Sequence, residues 1–161
     1  MMRKADPKRI MVCVDGSEHA MAAVKYVGDI LAFRDLEVVL FHVMMGMKSL
    51  QYGDPYYIPD EEVRLVDSRW LEKVKMDMRP DIEEAKRKLV NSGHSPDKID
   101  FEFITGASSR AGTILEEVEK GGYGTIVMGR RGLSKVADFF MGRVSNKVLH
   151  MAKKPAVWIV S

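Results

Sequence analysis

The sequence predicts a doubly wound α/β fold with one parallel sheet, and three observations predict it. Short apolar runs alternate along the chain with segments of helical periodicity. The first run, Ile10-Met11-Val12-Cys13-Val14, is continuously apolar, as a strand covered by helices on both faces should be. A later run alternates instead, with Ile99, Phe101 and Phe103 on one side and Asp100 and Glu102 on the other, as a half-exposed strand at a sheet edge should.

The first strand is read as Arg9 to Val14. Asp15-Gly16-Ser17-Glu18 follows as a turn and helix start, with Asp15 or Ser17 as N-cap. Ala20, Val24, Val27 and Leu31 recur at helical spacing and carry the first helix to about Arg34. The second strand is Leu36 to Val43. Residues 44–60 hold two glycines, two prolines and three tyrosines, and read as a long loop of the kind that often carries function.

Val63, Val66, Trp70, Val74, Met78, Ile82, Ala85 and Leu89 are spaced by three or four and stay in phase across Pro80. They predict one long helix kinked at the proline and ended by Asn91-Ser92-Gly93. The third strand is Ile99 to Thr105. The third helix runs from about Arg110 to Lys120 and stops at Gly121-Gly122. The fourth strand is Thr125 to Met128, the fourth helix about Gly142 to Ala152, and the fifth strand Ala156 to Val160, preceded by Pro155.

This alternation implies right-handed crossovers. The edge character of the third strand then favours the five-stranded order 3-2-1-4-5. Its topological switch point lies between strands one and four, where ligands of such sheets bind at the carboxyl ends. Asp15 and Met128-Gly129 fall there. A single domain spanning residues 1–161 is expected.

Composition narrows the function classes. With 46% hydrophobic and 30% charged residues, the chain can bury a core and keep a solvated surface. A formal charge of +2 implies no polyelectrolyte partner, so no nucleic acid is expected. No apolar run is long enough to span a membrane, and residues 1–9 are too charged for a signal peptide, so a cytoplasmic setting is expected. Cys13 is the sole cysteine and reads as a small core residue. His19, His42, His94 and His150 form no close pair, so no metal site is expected; His42 reads as a packed residue at a strand end.

The most informative stretch is the loop after the fourth strand. Gly129, Gly132 and Gly142 make the spacing G-x2-G-x9-G. Gly129 leaves room for a ligand to approach. Gly132 permits a positive φ in a tight turn. Gly142 opens a helix whose free N–H groups can bind phosphate. From Gly129 to Lys154 seven cations, among them Arg130, Arg131 and Arg143, face one acid, Asp138, so positive charge gathers where phosphates would sit. The turn could also be purely structural, with the cations solvating the last helix. A Walker A loop is ruled out because Gly129 is followed five residues later by Ser134. A dinucleotide fingerprint is ruled out because only Gly16 follows the first strand. A receiver-type acceptor is missing, since strand three ends Thr105-Gly106. Neither H-x-G-H nor G-x-S-x-G occurs.

Over essentially its whole length the chain resembles the universal stress proteins. The resemblance is carried by Ile10 to Ser17, Phe41-His42-Val43, Gly106 followed by Ile114, Gly129 to Ser145, and Pro155 to Val160. The glycine spacing resembles that of the family's ATP-binding branch. The resemblance implies an ATP site, with or without Mg²⁺, built from Val14, Asp15, Val43, Met128, Gly129, Arg131, Gly132, Gly142, Arg143, Val144 and Ser145. In it Asp15 meets the ribose or the adenine edge, the backbone of Val43 reads adenine, and Met128 lines the apolar pocket. Gly129, Gly132, Gly142, Val144 and Ser145 lie along ribose and phosphates. Arg143 departs from the pattern, which has Ser or Thr there; its guanidinium suits phosphate, and its bulk could instead occlude the site. The implied function is an ATP-binding regulatory or stress-protective homodimer. Its rivals are a slow ATPase or phosphotransferase and a module that binds no nucleotide. Strand five, apolar on both faces and without an internal charge or proline, is the expected dimer edge.

Overall fold

Parallel pairing of five strands organises the molecule. The structure, a computed structural model, describes residues 3–45, 68–107, 109–133 and 141–161. Strands β1 (Asp6–Cys13), β2 (Glu37–Met45), β3 (Ile99–Ala107), β4 (Tyr123–Gly129) and β5 (Ala156–Val160) form one sheet in the order β3-β2-β1-β4-β5. Every neighbouring pair is parallel. Helices α1 (Glu18–Ile30), α2 (Ser68–Asn91), α3 (Arg110–Gly121) and α4 (Arg143–Met151) flank it. The expected class and strand order are observed.

The helices divide between the two faces. Ala23, Val24 and Val27 of α1 join Ile82, Ala85 and Leu89 of α2 over Ile10, Val12, Leu40 and Val127. On the other face Ala111, Ile114 and Val118 of α3 and Val148 of α4 cover Met11, Val39, Phe41, Ile126 and Met128. Successive residues of β1, β2 and β4 serve opposite cores, which is why these strands read as unbroken apolar runs. β3 keeps its edge character: Asp100 is exposed, and residues 101–104 are half-buried.

Several boundaries move. β1 starts at Asp6 and ends at Cys13, with a register shift between Asp6 and Ile10, so Val14 lies just beyond the strand. α1 stops at Ile30, short of Arg34. Phe33 takes a left-handed φ of 59°, and its ring packs so close to Gly93 that a Cβ there would lie 2.7 Å from it. β2 reaches Met45, β3 reaches Ala107, and β4 spans Tyr123–Gly129. Ser17, not Asp15, caps α1: its hydroxyl accepts the Ala20 N–H. Gly142 is the N-cap of α4, and the helix begins at Arg143. α2 continues through Pro80 as one helix. The segment 46–60, the predicted helix start at Val63 and Val66, and Ser134 to Phe140 of the glycine loop lie outside the described residues.

The contact that seats α1 against the sheet involves Gly129. A Cβ on Gly129 would lie 2.5 Å from the His19 carbonyl carbon and 2.6 Å from its oxygen. The absent side chain therefore makes room for the first turn of α1, a role that the glycine spacing alone did not suggest. Because the opposing atoms are backbone, they cannot rotate away. Gly129→Ala should cost about 1–3 kcal/mol, as overpacking does in a dense interior. Urea unfolding with an unchanged midpoint would show that α1 does not approach β4 this closely.

Candidate functional site

The carboxyl edge of the sheet has a notch because its central strand is short. Pairing of β1 with β2 ends at Cys13–Phe41, while β2 runs on past Val43 to Met45. Pairing of β1 with β4 ends at Val12–Val127, while β4 runs on to Gly129 beside Val160. Val14 and Asp15 form the floor between the two longer strands. The Val14 N–H donates to the Phe41 carbonyl at 2.9 Å. One Asp15 oxygen, Oδ1, accepts the Ser17 N–H at 3.0 Å. Such a crevice at the switch point is where open parallel sheets bind ligands. Val43 and Met128, both buried, border it from β2 and β4.

The glycine loop folds back onto the end of β4. The Arg130 N–H donates to the Val160 carbonyl at 2.7 Å, and the Gly142 N–H to the Arg130 carbonyl at 2.8 Å. Buried Ser145 donates its hydroxyl to the Gly129 carbonyl at 2.8 Å, so its side chain ties α4 to the strand. Gly132 does not have a positive φ; among the described residues the left-handed glycines are Gly16, Gly93 and Gly122. What Gly132 supplies is space, since a Cβ there would lie 2.5 Å from Oδ2 of Asp15. That proximity brings the loop and the β1 end into one site. Gly142 is less confined: a Cβ there would lie 3.2 Å from the backbone of both Arg130 and Arg131, a tight contact that a shift of a few tenths of an ångström relieves.

The start of α4 is distinctive. Ser17 caps α1 by accepting the Ala20 N–H, and Ser109 caps α3 by accepting the Gly112 N–H at 3.1 Å. Gly142 gives α4 no side-chain cap. The first-turn N–H groups of Arg143, Val144 and Ser145 have no acceptor within the helix, because such groups precede the first helical turn. The Arg143 side chain is exposed, Val144 is half-buried, and Arg131 is half-buried in the loop.

Asp15 acts electrostatically on His42, Cys13 and Arg110. His42 is buried and stacks on Phe103 with centroids 5.5 Å apart. Its Nδ1 faces the Val14 carbonyl at 2.7 Å, and since a carbonyl only accepts, Nδ1 carries the proton. Burial lowers the pKa of His42 below its ordinary value, which favours the neutral ring. Cys13 is half-buried, somewhat less enclosed than its apolar context suggested. Desolvation, with a smaller contribution from Asp15, pushes its thiol up to about 12, so it remains protonated. Arg110, the first residue of α3, is half-buried; burial lowers its pKa, and Asp15 opposes that shift. In the sequence Arg110 stands out only as a helix start. The available signal was topological, because every βα connection of a parallel sheet opens at its carboxyl edge.

Comparisons with known proteins agree with this architecture. The model of the universal stress protein family matches residues 7–161. The universal stress protein YxiE of Bacillus subtilis (strain 168) is 24% identical over 156 residues, covering 92% of this chain and 96% of that protein. Universal stress protein UspA from Lactobacillus plantarum superposes with a TM-score of 0.71 at 18% identity, covering 98% of this chain and 100% of that one. A universal stress protein in complex with cAMP gives 0.65 at 20%, covering 96% and 97%. One from Archaeoglobus fulgidus in complex with dAMP gives 0.57 at 16%, covering 100% of both chains. These structural likenesses establish the shared fold, and the family match, spanning nearly the full length, establishes that the chain belongs to the universal stress protein family.

Proposed function

We propose that the protein binds an adenine nucleotide, ATP foremost, in the notch between β2 and β4. The carrying observation is the start of α4. Of the three α-helices whose N-caps are described, it alone has no capping side chain. Its amides therefore suit an anion, aided by the positive end of the helix dipole. The base would lie toward Val43 and Met128, Asp15 would accept from the ribose, and Gly132 and the α4 amides would take the phosphates. Ser145 would contribute its amide, since its hydroxyl already serves Gly129. The relatives in complex with cAMP and dAMP support an adenine ligand. The G-x2-G-x9-G spacing supports the ATP-binding branch. Exposure of Arg143 favours a phosphate contact over an occluding plug.

We read the role as binding with a regulatory or stress-protective output, in a cytoplasmic setting. The Cys13 thiol stays protonated and so supplies no nucleophilic thiolate beside Asp15. Among the described residues no cluster of three or more His, Cys, Asp or Glu could hold a metal, so Mg²⁺ would arrive with the nucleotide.

We further propose a homodimer through β5. That strand pairs with β4 on one side and forms the sheet edge on the other. Trp158 is half-buried, with Tyr26 packed edge-on at 6.2 Å. Both flanking helices touch β5 and expose apolar side chains, Tyr26 and Ile30 on α1 and Leu149 and Met151 on α4. An unguarded apolar edge of this kind is relieved by antiparallel pairing with a second copy.

Titration calorimetry should detect ATP binding to the protein as purified and stripped of nucleotide; no heat with any adenine nucleotide would refute the reading. Gly132→Ala should lower ATP affinity about tenfold by displacing Asp15, one decade being about 1.4 kcal/mol. Its unfolding midpoint should barely move, because a side-chain carboxylate can rotate aside. Unchanged affinity in that variant would remove Asp15 and the loop from a common site.

For the dimer, light scattering at micromolar concentration should give twice the chain mass. Val157→Pro, which removes a backbone donor from β5, should give a less stable monomer. A monomeric parent protein would contradict the assignment of β5.

A further inference from the structure

A phosphate site that contains a carboxylate meets an electrostatic difficulty. Oδ2 of Asp15 lies 2.5 Å from where a Gly132 Cβ would be, against the loop proposed to take phosphates. Left alone, that charge would repel an anionic ligand. The groups facing it differ in what they offer. Cys13 on β1 is a protonated thiol and His42 on β2 is disposed to be neutral, so neither compensates. Arg110 on α3 brings a cation, and Asp15 in turn favours the charged state of that partly desolvated guanidinium.

The placement of Arg110 has no explanation in helix stability. It occupies the first position of α3, where the dipole disfavours positive charge. α1 follows the ordinary rule with Glu18 in its first turn; α3 and α4 both begin with arginine and have no acid there. α3 packs against β2, β4 and α4, and Ala111, next to Arg110, is buried in one cluster with Val43 and Met128, on the face of the sheet that α4 also covers. The two arginines differ in setting, Arg143 being exposed and Arg110 half-buried.

We infer that Arg110 is a positioning residue that sets specificity for phosphate charge: it offsets Asp15 across the notch, so that a polyphosphate can lie beside a carboxylate that also holds the sugar. This rests on the reading of the notch as a nucleotide site. Arg143 and the α4 amides attract the phosphates directly; Arg110 acts through Asp15. Two consequences distinguish it from a residue that merely supports the fold. Its removal should matter more as ligand charge grows, and should matter less once Asp15 is neutral.

The test is calorimetric titration with adenosine, AMP, ADP and ATP. Arg110→Gln should bind ATP about tenfold more weakly, lose less for AMP and least for adenosine, since the uncompensated charge acts most on the anionic ligands. Arg110→Lys should retain most ATP affinity. In an Asp15→Asn background, Arg110→Gln should cost markedly less than in the parent. Equal losses for adenosine and ATP, or an undiminished effect in that background, would overturn the proposal. Should Arg110→Gln not fold, Arg110→Met, which keeps the aliphatic stem, takes its place in the same titrations, and the same outcomes decide. Failure of the parent protein to bind any adenine nucleotide would instead refute the underlying functional reading.

Discussion

The withdrawal of β1 from the carboxyl edge is the constraint on which the site depends. A central strand as long as its neighbours would fill the crevice with its own ladder. Here pairing stops at Cys13–Phe41 on one side and Val12–Val127 on the other. The chain then turns away through Asp15 and Gly16, whose φ is +78°. Val43 and Met128 are left bordering a gap. The apolar residues of β1 lock this length. Met11 and Val12 have no solvent exposure and serve opposite cores, so a slip of one residue would exchange every side chain between the faces.

Glycines on the far side of the gap set distances more than dihedral angles. Gly129 lets the His19 backbone close against β4, Gly132 lets Asp15 reach the loop, and Gly142 lets the start of α4 close on Arg130 and Arg131. The three residues draw α1, the β1 end and α4 around one point. The Ser145 hydroxyl then fastens α4 to the Gly129 carbonyl. The result is a helix start tied to the end of β4 with no side-chain cap on its amides. Removing a buried partner such as that hydroxyl would leave a carbonyl unsatisfied, which proteins tolerate poorly.

Much of this was legible in the sequence, for identifiable reasons. The unbroken apolarity of Ile10 to Val14 and the alternation at Ile99 to Phe103 separate a central strand from an edge strand, and the strand order follows. Glycine spacing and clustered arginines marked the loop. The mechanism of each glycine was less legible, because spacing cannot tell a positive φ from a close approach. Gly132 needed the position of Asp15, and Gly129 needed that of His19. The end of α1 was hidden because Leu31 is in phase with the helix although Phe33 has already turned left-handed. Arg110 escaped notice because its significance lies in a partner far away along the chain, at the end of a different strand.

The central claim is that an adenine nucleotide places its phosphates on the uncapped amides of α4. Backbone amide shifts in an ¹⁵N-labelled sample titrated with ATP test it most directly. The account predicts large, saturable shifts at Gly132, Arg143, Val144 and Ser145. The capped starts of the other helices, reported by Ala20 and Gly112, should move little. Shifts confined to other regions, or of equal size at Ala20 and Gly112, would contradict it.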